Sequence, residues 1–485
     1  MAKALMIQGT MSNVGKSLMT AALCRIFSQD GYKVSPFKSQ NMALNSYITA
    51  DGMEIGRAQA MQAEASGIEP DICMNPILLK PIDDIGSQVI LMGKPIGNMS
   101  AQEYYKKKRE FIPHIMEAYD RLCQSNDIVV LEGAGSPTEI NLRDNDIVNM
   151  GMAKLAKAPV ILVGDIDRGG VFAQLLGTIK LLEKNEEILL KGMIINKFRG
   201  DRDILKPGLD MLENMCQKPI FGVVPYISCD IDDEDSLSKR FSKTGKTGLI
   251  DVAVVRLNRI SNFTDFAALE CIEGISVRYV SEADSLQKPD IIIIPGTKST
   301  VADMLELRKN GMEARIKQLA AEGKIVFGIC GGFQMLGEKI VDNVEAEAVG
   351  EFEGMGLIPI KTVFEQDKIT TRTDGVINSL DGSLKGLSGK PFEGYEIHMG
   401  RGGTGEVITK GIKNVYGTYI HGIFDSKEVT DALINSILSE KGQNTGIIKA
   451  VDIRAYKESQ YELLADTVRK SVDMDRIYDI LDKGV

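Results

Sequence analysis

Short apolar runs alternate with helix-compatible stretches along the first half of the chain. ALMIQG, DIVVLEG, APVILVGD and KGMIINKF are each nearly continuous in aliphatic residues. Such runs suit strands buried on both faces of a parallel sheet, because a half-exposed strand alternates apolar with polar positions. With helical spacing between them, they predict a doubly wound α/β sheet. Residues 229–248, CDIDDEDSLSKRFSKTGKTG, break the pattern. They are charged, rich in Ser, Thr and Gly and poor in large apolar residues, as a linker is. The pattern then restarts as LIDVAVVRL, ISVRYV, DIIIIPG and KIVFGICGG, a second series of strands. The tail segment AYKESQYELLADTVRKSVDMDRIYDIL has apolar positions three and four apart, which predicts helix packing back on a domain. The expected organisation is two doubly wound α/β domains, 1–228 and 249–445, with a 229–248 linker and a 446–485 helical tail.

A length of 485 residues allows that many cores. No apolar run approaches the roughly 20 residues of a membrane span. The opening MAKALMIQGT runs straight into a strand without a cleavable signal pattern, so the expected compartment is the cytoplasm and no membrane partner is expected. Seven cysteines without framework spacing fit a reducing environment. A net charge of −10 argues against nucleic acid as the main ligand, since binding its backbone needs a basic face.

Two stretches carry chemistry in the first half. GTMSNVGKS lies between a strand and the helical LMTAALCRIF. That context lets backbone N–H groups and a helix N-terminus cradle phosphates, with Lys16 neutralising β/γ charge and Ser17 ligating Mg²⁺. Thr10 occupies the position where the strict pattern has Gly, so the loop is a variant. Thr10, Asn13, Val14, Gly15, Lys16 and Ser17 form the expected ATP-binding loop; a ligand-free strand-to-helix turn is the competing reading. PFKSQNMALNS then puts Lys38 and Ser39 after the second strand, where a second lysine suits charge on a transferring phosphoryl group. An ordinary surface lysine is the alternative. ADGMEIGRAQAMQAEAS offers Asp51 and Glu54 at the start of a helix, and VVLEGAGSP places Glu132 at a strand end. Carboxylates so placed hold Mg²⁺ opposite a loop serine, with Glu54 preferred and Asp51 equally suited to capping. Asn196, in GMIINKFRGD, suits an adenine edge or a simple turn.

In KIVFGICGGFQMLGEKI, Cys330 sits between a strand and a helix among Gly328, Gly331 and Gly332. Those glycines permit the sharp turn of a nucleophile elbow, and the helix start favours a thiolate. Gly296, in IIIIPGTKST, and Gly331 are candidate backbone donors to an oxyanion. Of three histidines, His421 in VYGTYIHGIF is the candidate base. His398, in GYEIHMG, is expected to follow a strand and reads as structural or substrate-facing, and His114 reads as a core or surface histidine.

The phosphate loop resembles that of dethiobiotin synthetase, of form GTxxxVGKT, whose chemistry activates a carboxyl-type group with ATP. The Cys elbow, the PGT turn and the late histidine resemble a class I glutamine amidotransferase, which releases ammonia through a thioester. That class commonly has an acid two residues after the histidine; here the position is Ile423. A Cys330–His421 dyad, or an acid from elsewhere, is implied. In order and spacing, PFKSQNMALNS, EIGRAQAMQAEA, NPILLKP, LEGAGSPTEINL, DRGGVFA, INKFRGD and FEGYEIHMG resemble the cobyric acid synthase family over nearly the whole chain. The resemblance implies ATP- and glutamine-dependent amidation of four carboxylates (b, d, e, g) of adenosylcobyrinic acid a,c-diamide, with Mg²⁺, in cobalamin biosynthesis. Cobyrinic acid a,c-diamide synthase shares both domains, and CTP synthase has a comparable pairing. A regulatory ATPase with a non-catalytic second domain is the reading from another class.

Overall fold

The structure, a computed structural model, describes residues 2–82, 86–231 and 248–485. Most of the expected linker, residues 232–247, lies outside the described residues. The chain divides into two compact units that are not contiguous blocks of sequence. The first comprises Met1–Ala43, Met53–Asp235 and Lys457–Val485; the second comprises Leu44–Gly52 and Ser236–Tyr456.

The first unit is built on a six-stranded parallel sheet. Its strands are β1 (Lys3–Gly9), β2 (Val34–Phe37), β3 (Ile128–Glu132), β4 (Val160–Asp165), β5 (Leu190–Phe198) and β6 (Ile220–Pro225), in spatial order β6-β5-β4-β1-β3-β2. The four apolar runs of the sequence are β1, β3, β4 and β5. Their residues alternate between two separate cores, as a strand's period of two requires. Leu5, Ile7, Val130, Ile161 and Val163 face one core; Met6, Val129, Leu131, Val160 and Leu162 face the other. The helix Ile453–Ser471 supplies Tyr461, Leu464 and Val468 to the same core as Leu5 and Ile7, and Met474–Lys483 adds Ile477 and Leu481. A second, mixed sheet of Gln40–Met42, Ile77–Pro81, Gly86–Leu91 and Lys94–Ser100 also belongs here.

In the second unit, β7 (Ile250–Val255), β8 (Ile275–Val280), β9 (Ile291–Ile294), β10 (Ile325–Ile329), β11 (Thr409–Lys410) and β12 (Val415–Thr418) lie in the order β8-β7-β9-β10-β12-β11. All pair in parallel except the edge strand β11. Of the apolar runs restarting after the linker, three are the inner strands β7, β9 and β10, and ISVRYV is the edge strand β8. A further sheet is dominated by the antiparallel pair Lys361–Val376 and Pro391–Arg401. The fold class is therefore the expected one, two α/β domains with largely parallel sheets.

Local structure corrects two expectations. The helix after Glu54 begins only at Arg57, because Gly56 ahead of it is extended (φ −64°, ψ 137°), so neither Asp51 nor Glu54 opens it. His398 lies inside the strand Pro391–Arg401 rather than after one.

Candidate active sites

In the first unit, β1 ends at Gly9 and the helix Lys16–Gln29 begins seven residues later, with the loop between them. Asn13 (φ 65°) and Gly15 (φ 96°) take the left-handed turns that curl the backbone. Asn196 braces this curl: its amide donates to the Val14 carbonyl at 2.8 Å, and its oxygen accepts from the Lys197 N–H. A Cβ on Gly15 would lie 2.4 Å from the Asn196 amide nitrogen, so the brace requires glycine. Lys16 Nζ reaches the carbonyls of Met11 at 3.0 Å and Gly135 at 3.1 Å. Thr10 Oγ1 donates to Gln174 at 3.1 Å.

Glu132 is the electrostatic centre of this site. Its side chain accepts from Ser17 Oγ at 2.9 Å, Lys38 Nζ at 3.0 Å and Gln62 Nε2 at 2.5 Å. Burial pushes its carboxyl pKa up, but Lys38, Gln62 and Lys16 together outweigh burial and hold it below its ordinary 4.5. Lys38 is itself buried, so it is not a surface lysine. Ser39 donates to the Ile147 carbonyl at 2.7 Å. Glu54 is fully buried and its carboxylate accepts from Lys80 at 2.8 Å. Among the described residues no three His, Cys, Asp or Glu side chains form a metal-holding group. A serine hydroxyl and one carboxylate 2.9 Å apart nevertheless fit Mg²⁺, which commonly takes one or two carboxylates and completes its shell with phosphate oxygens and water.

Sequence reasoning missed three supports of this loop. Gln62 also donates to the Ser17 carbonyl at 3.3 Å. Lys197 Nζ pairs with Asp165 at 2.8 Å and bonds the Asn13 carbonyl. The signal was there for Asp165, an acid closing the apolar run APVILVGD at the same strand end as the phosphate loop.

In the second unit, β10 runs into Cys330, whose backbone (φ 50°, ψ −107°) is strained for a residue with a side chain. The helix Gly331–Leu336 that follows presses on β9 so closely that a Cβ on Gly332 would lie 2.0 Å from the Ile294 carbonyl oxygen. The same packing brings the candidate groups together. A Cβ on Gly296 would lie 2.8 Å from His421 Cε1, and one on Gly331 would lie 2.8 Å from Thr297 Cγ2. Cys330 Sγ donates to the Ile397 carbonyl at 3.7 Å.

The acid missing at Ile423 comes from elsewhere. Asp265, in the short 3₁₀ turn Phe263–Phe266, accepts from His421 Nδ1 at 2.7 Å and from the Gly422 N–H at 2.9 Å. His421 Nε2 is buried without a hydrogen bond, while the Cys330 thiol is close enough to bias its protonation. Burial pushes the imidazole pKa down, but Asp265 first and Cys330 second reverse that and raise it above the ordinary 6.5. A protonated imidazole beside the sulfur is the charge partner a thiolate nucleophile needs. No spacing rule links Asp265 to His421, which stand 156 residues apart. The only hint was a carboxylate in the apolar NFTDFAAL. His398 is stacked on Tyr419 at 4.0 Å and bonded to Glu396 and the Gly400 carbonyl. His114 is exposed on the helix Ile112–Ser125.

Residues 5–237 match the family described as the CobQ/CobB/MinD/ParA nucleotide binding domain, and residues 251–429 match the CobB/CobQ-like glutamine amidotransferase domain. The class is thus a nucleotide-binding glutamine amidotransferase, an ATP-dependent ligase. The chain is 56% identical to the cobyric acid synthase of Ruminiclostridium cellulolyticum, across all of this chain and 98% of that one. It is 53% identical to that of Lachnoclostridium phytofermentans, with both chains fully covered, and 50% identical to that of a Thermoanaerobacter species, across all of this chain and 99% of the relative. The chain belongs to the cobyric acid synthase family. No helix among the described residues is long and apolar enough to cross a membrane.

Proposed function

We propose that the protein converts adenosylcobyrinic acid a,c-diamide to cobyric acid by amidating carboxylates b, d, e and g, with ATP and glutamine, in the cytoplasm. The observation that carries this reading is the presence, in one chain, of the Ser17–Glu132–Lys38 cluster beneath a phosphate loop and of Cys330 beside the His421–Asp265 pair. Neither site alone makes an amide; together they supply an activated acyl group and ammonia.

At the first site, Thr10, Asn13, Val14, Gly15, Lys16 and Ser17, braced by Asn196, hold the triphosphate. Lys16 and Lys38 offset charge on the transferring phosphoryl group. The metal set narrows to Ser17 and Glu132, because Glu132 stands 2.9 Å from the loop serine, whereas Glu54 is buried against Lys80. Mg²⁺ held there would supply positive charge that offsets the charge of the triphosphate. A substrate carboxylate oxygen attacks the γ-phosphorus and ADP leaves, giving an acyl phosphate; ammonia then attacks the acyl carbon and inorganic phosphate departs. At the second site, the Cys330 thiolate attacks the glutamine carboxamide carbon, with the Gly296 and Gly331 N–H groups proposed to face the oxyanion. His421 gives its proton to the departing ammonia and then deprotonates the water that cleaves the thioester to glutamate. Asp265 holds the imidazole in the tautomer this requires.

Mass spectrometry of a time course tests the substrate. With adenosylcobyrinic acid a,c-diamide, ATP, Mg²⁺ and glutamine, four successive decreases of about one mass unit are expected as OH is replaced by NH₂, each consuming about one ATP because each carboxylate is activated separately. No reaction on that diamide, with two amides added to unamidated cobyrinic acid, would move the protein to the a,c-diamide synthases.

A further inference from the structure

One short segment of the N-terminal half does not stay with its neighbours. The chain leaves the first unit after Ala43, and residues Leu44–Gly52 belong to the second unit before Met53 rejoins the first. Its attachments converge on the groups that hold His421.

The Asn45 side-chain oxygen accepts from the Phe263 N–H at 3.2 Å, and the Asn262 side-chain oxygen accepts from the Ser46 N–H at 3.1 Å. All four backbone and side-chain groups are buried. This reciprocal pair fixes the first residues of the 3₁₀ turn that carries Asp265. The Phe263 N–H stands at the start of that turn, where no carbonyl of the turn can serve it, so Asn45 supplies the acceptor. Asn262 is held left-handed (φ 52°) immediately before it. On the other side, Tyr395 stacks on His421 (5.4 Å between rings) and exchanges both backbone hydrogen bonds with it, at 2.8 and 3.1 Å. Tyr47 lies against Tyr395, 6.5 Å between rings. Arg372, opposite Tyr395 in the sheet, covers the Tyr47 ring and donates to the Ile48 carbonyl at 3.0 Å.

The segment thus meets the His421–Asp265 pair from both ends, through the turn bearing the acid and through the ring stacked on the base. It also departs from the nucleotide site, a few residues after Lys38, which bonds Glu132. We propose that residues 44–52 are a strap whose Asn45 and Tyr47 position the His421–Asp265 pair, so that glutamine hydrolysis responds to occupation of the nucleotide site from which the strap departs. The inference rests on the amidotransferase reading above and adds to it the element that coordinates the two half-reactions. Such coupling requires two arrangements of the strap that bound ATP and acceptor favour unequally.

The test uses the full-length chain. Glutamate release is measured with glutamine alone and with ATP, Mg²⁺ and adenosylcobyrinic acid a,c-diamide added; amidation from ammonium salt is followed in the same preparations. Wild-type release should rise about tenfold on adding the acceptor mixture, within the usual range of coupling between sites. Asn45→Ala should lose about tenfold in stimulated kcat with the KM for glutamine kept, because the buried bond from the Phe263 N–H that fixes the turn bearing Asp265 is lost near the base and not near the substrate. Amidation from ammonium should be unchanged, and Asn45→Asp, which keeps an acceptor oxygen, should recover the stimulation. Tyr47→Leu provides a second route to the same loss if Asn45→Ala does not fold. Wild-type stimulation in both Asn45→Ala and Tyr47→Leu, failure of Asn45→Asp to recover, or a parallel loss of ammonium-driven amidation would overturn the strap. Failure of the wild-type protein to amidate the corrinoid from ammonium would instead overturn the amidation reading, while glutamate release by the variants would still judge the positioning of His421.

Discussion

The two sites solve opposite problems with charge. Around Glu132 the cations Lys16 and Lys38 already have oxygen partners within the protein, and the carboxylate accepts from Lys38, Ser17 and Gln62. Around Cys330 the base nitrogen itself, His421 Nε2, is buried without a hydrogen bond, and the backbone of the nucleophile is strained. The first arrangement is a stable network into which a triphosphate must bring new charge. The second is assembled in advance, its strain and its orphan atom aimed at a reacting group. A site for a highly charged ligand has to neutralise itself when that ligand is away, whereas a site for a neutral amide can hold its reactive geometry throughout.

Three substitutions break this contrast at different points. The largest effect belongs to Cys330→Ala, which should reduce glutamine-dependent synthesis on the order of 10³-fold or more by removing the covalent nucleophile, yet leave synthesis from ammonium salt intact. Equal loss with both nitrogen sources in a folded protein would mean the two sites are not chemically separate. Glu132→Gln comes next. It should depress synthesis from either nitrogen source by about 10²-fold, since one oxygen donor to the metal and the counter-charge of buried Lys38 disappear together. Glutamate release without ATP should persist, and a glutaminase that died with Glu132 would contradict the division of labour.

Asp265→Asn sharpens the comparison within the second site. Glutamine hydrolysis should fall by about 10²-fold as the imidazole loses the partner that fixes its tautomer, measured as kcat at unchanged KM. The same variant reports on stability. Because Asp265 raises the folded-state pKa of His421 above its ordinary 6.5, the pair's contribution is fully present below that value and is lost as pH climbs through the raised one. The gap in Tm between wild type and Asp265→Asn should therefore be widest near pH 6 and close on the alkaline side. A gap that widened with rising pH would reverse the assignment of charge to the pair.

What was legible in the sequence was what local pattern encodes. β1, β3 and β5 stood out because strands buried on both faces have no polar alternation, and Ser17, Glu132 and Cys330 stood out because each closes or follows such a run. Pairings across long separations left no such trace. Asp265 reaches His421 only because β7, which precedes its turn, and β12, which precedes the histidine, lie in one sheet, and no periodicity announces that. Asn196 was visible as a polar residue at a strand end, but its amide is engaged by Val14 through a contact 182 residues apart. The strap was hidden for a different reason: residues 44–52 have the composition of an ordinary loop, and their placement with the second unit depends on contacts to distant backbone and side chains, those with Asn262, Phe263 and Arg372 among them.

The packing of Tyr461, Leu464, Val468, Ile477 and Leu481 beside Leu5 and Ile7 has a consequence for how the protein is born. β1 shares its core with helices that follow the whole second unit in the sequence, so this face of the sheet stays open during synthesis of everything between. Domains usually fold as units in order of emergence; here the nucleotide-binding half must wait, its apolar face uncovered until those helices are made. A chain cut before Ile453 would carry that exposed face permanently and so disable the half that was made first.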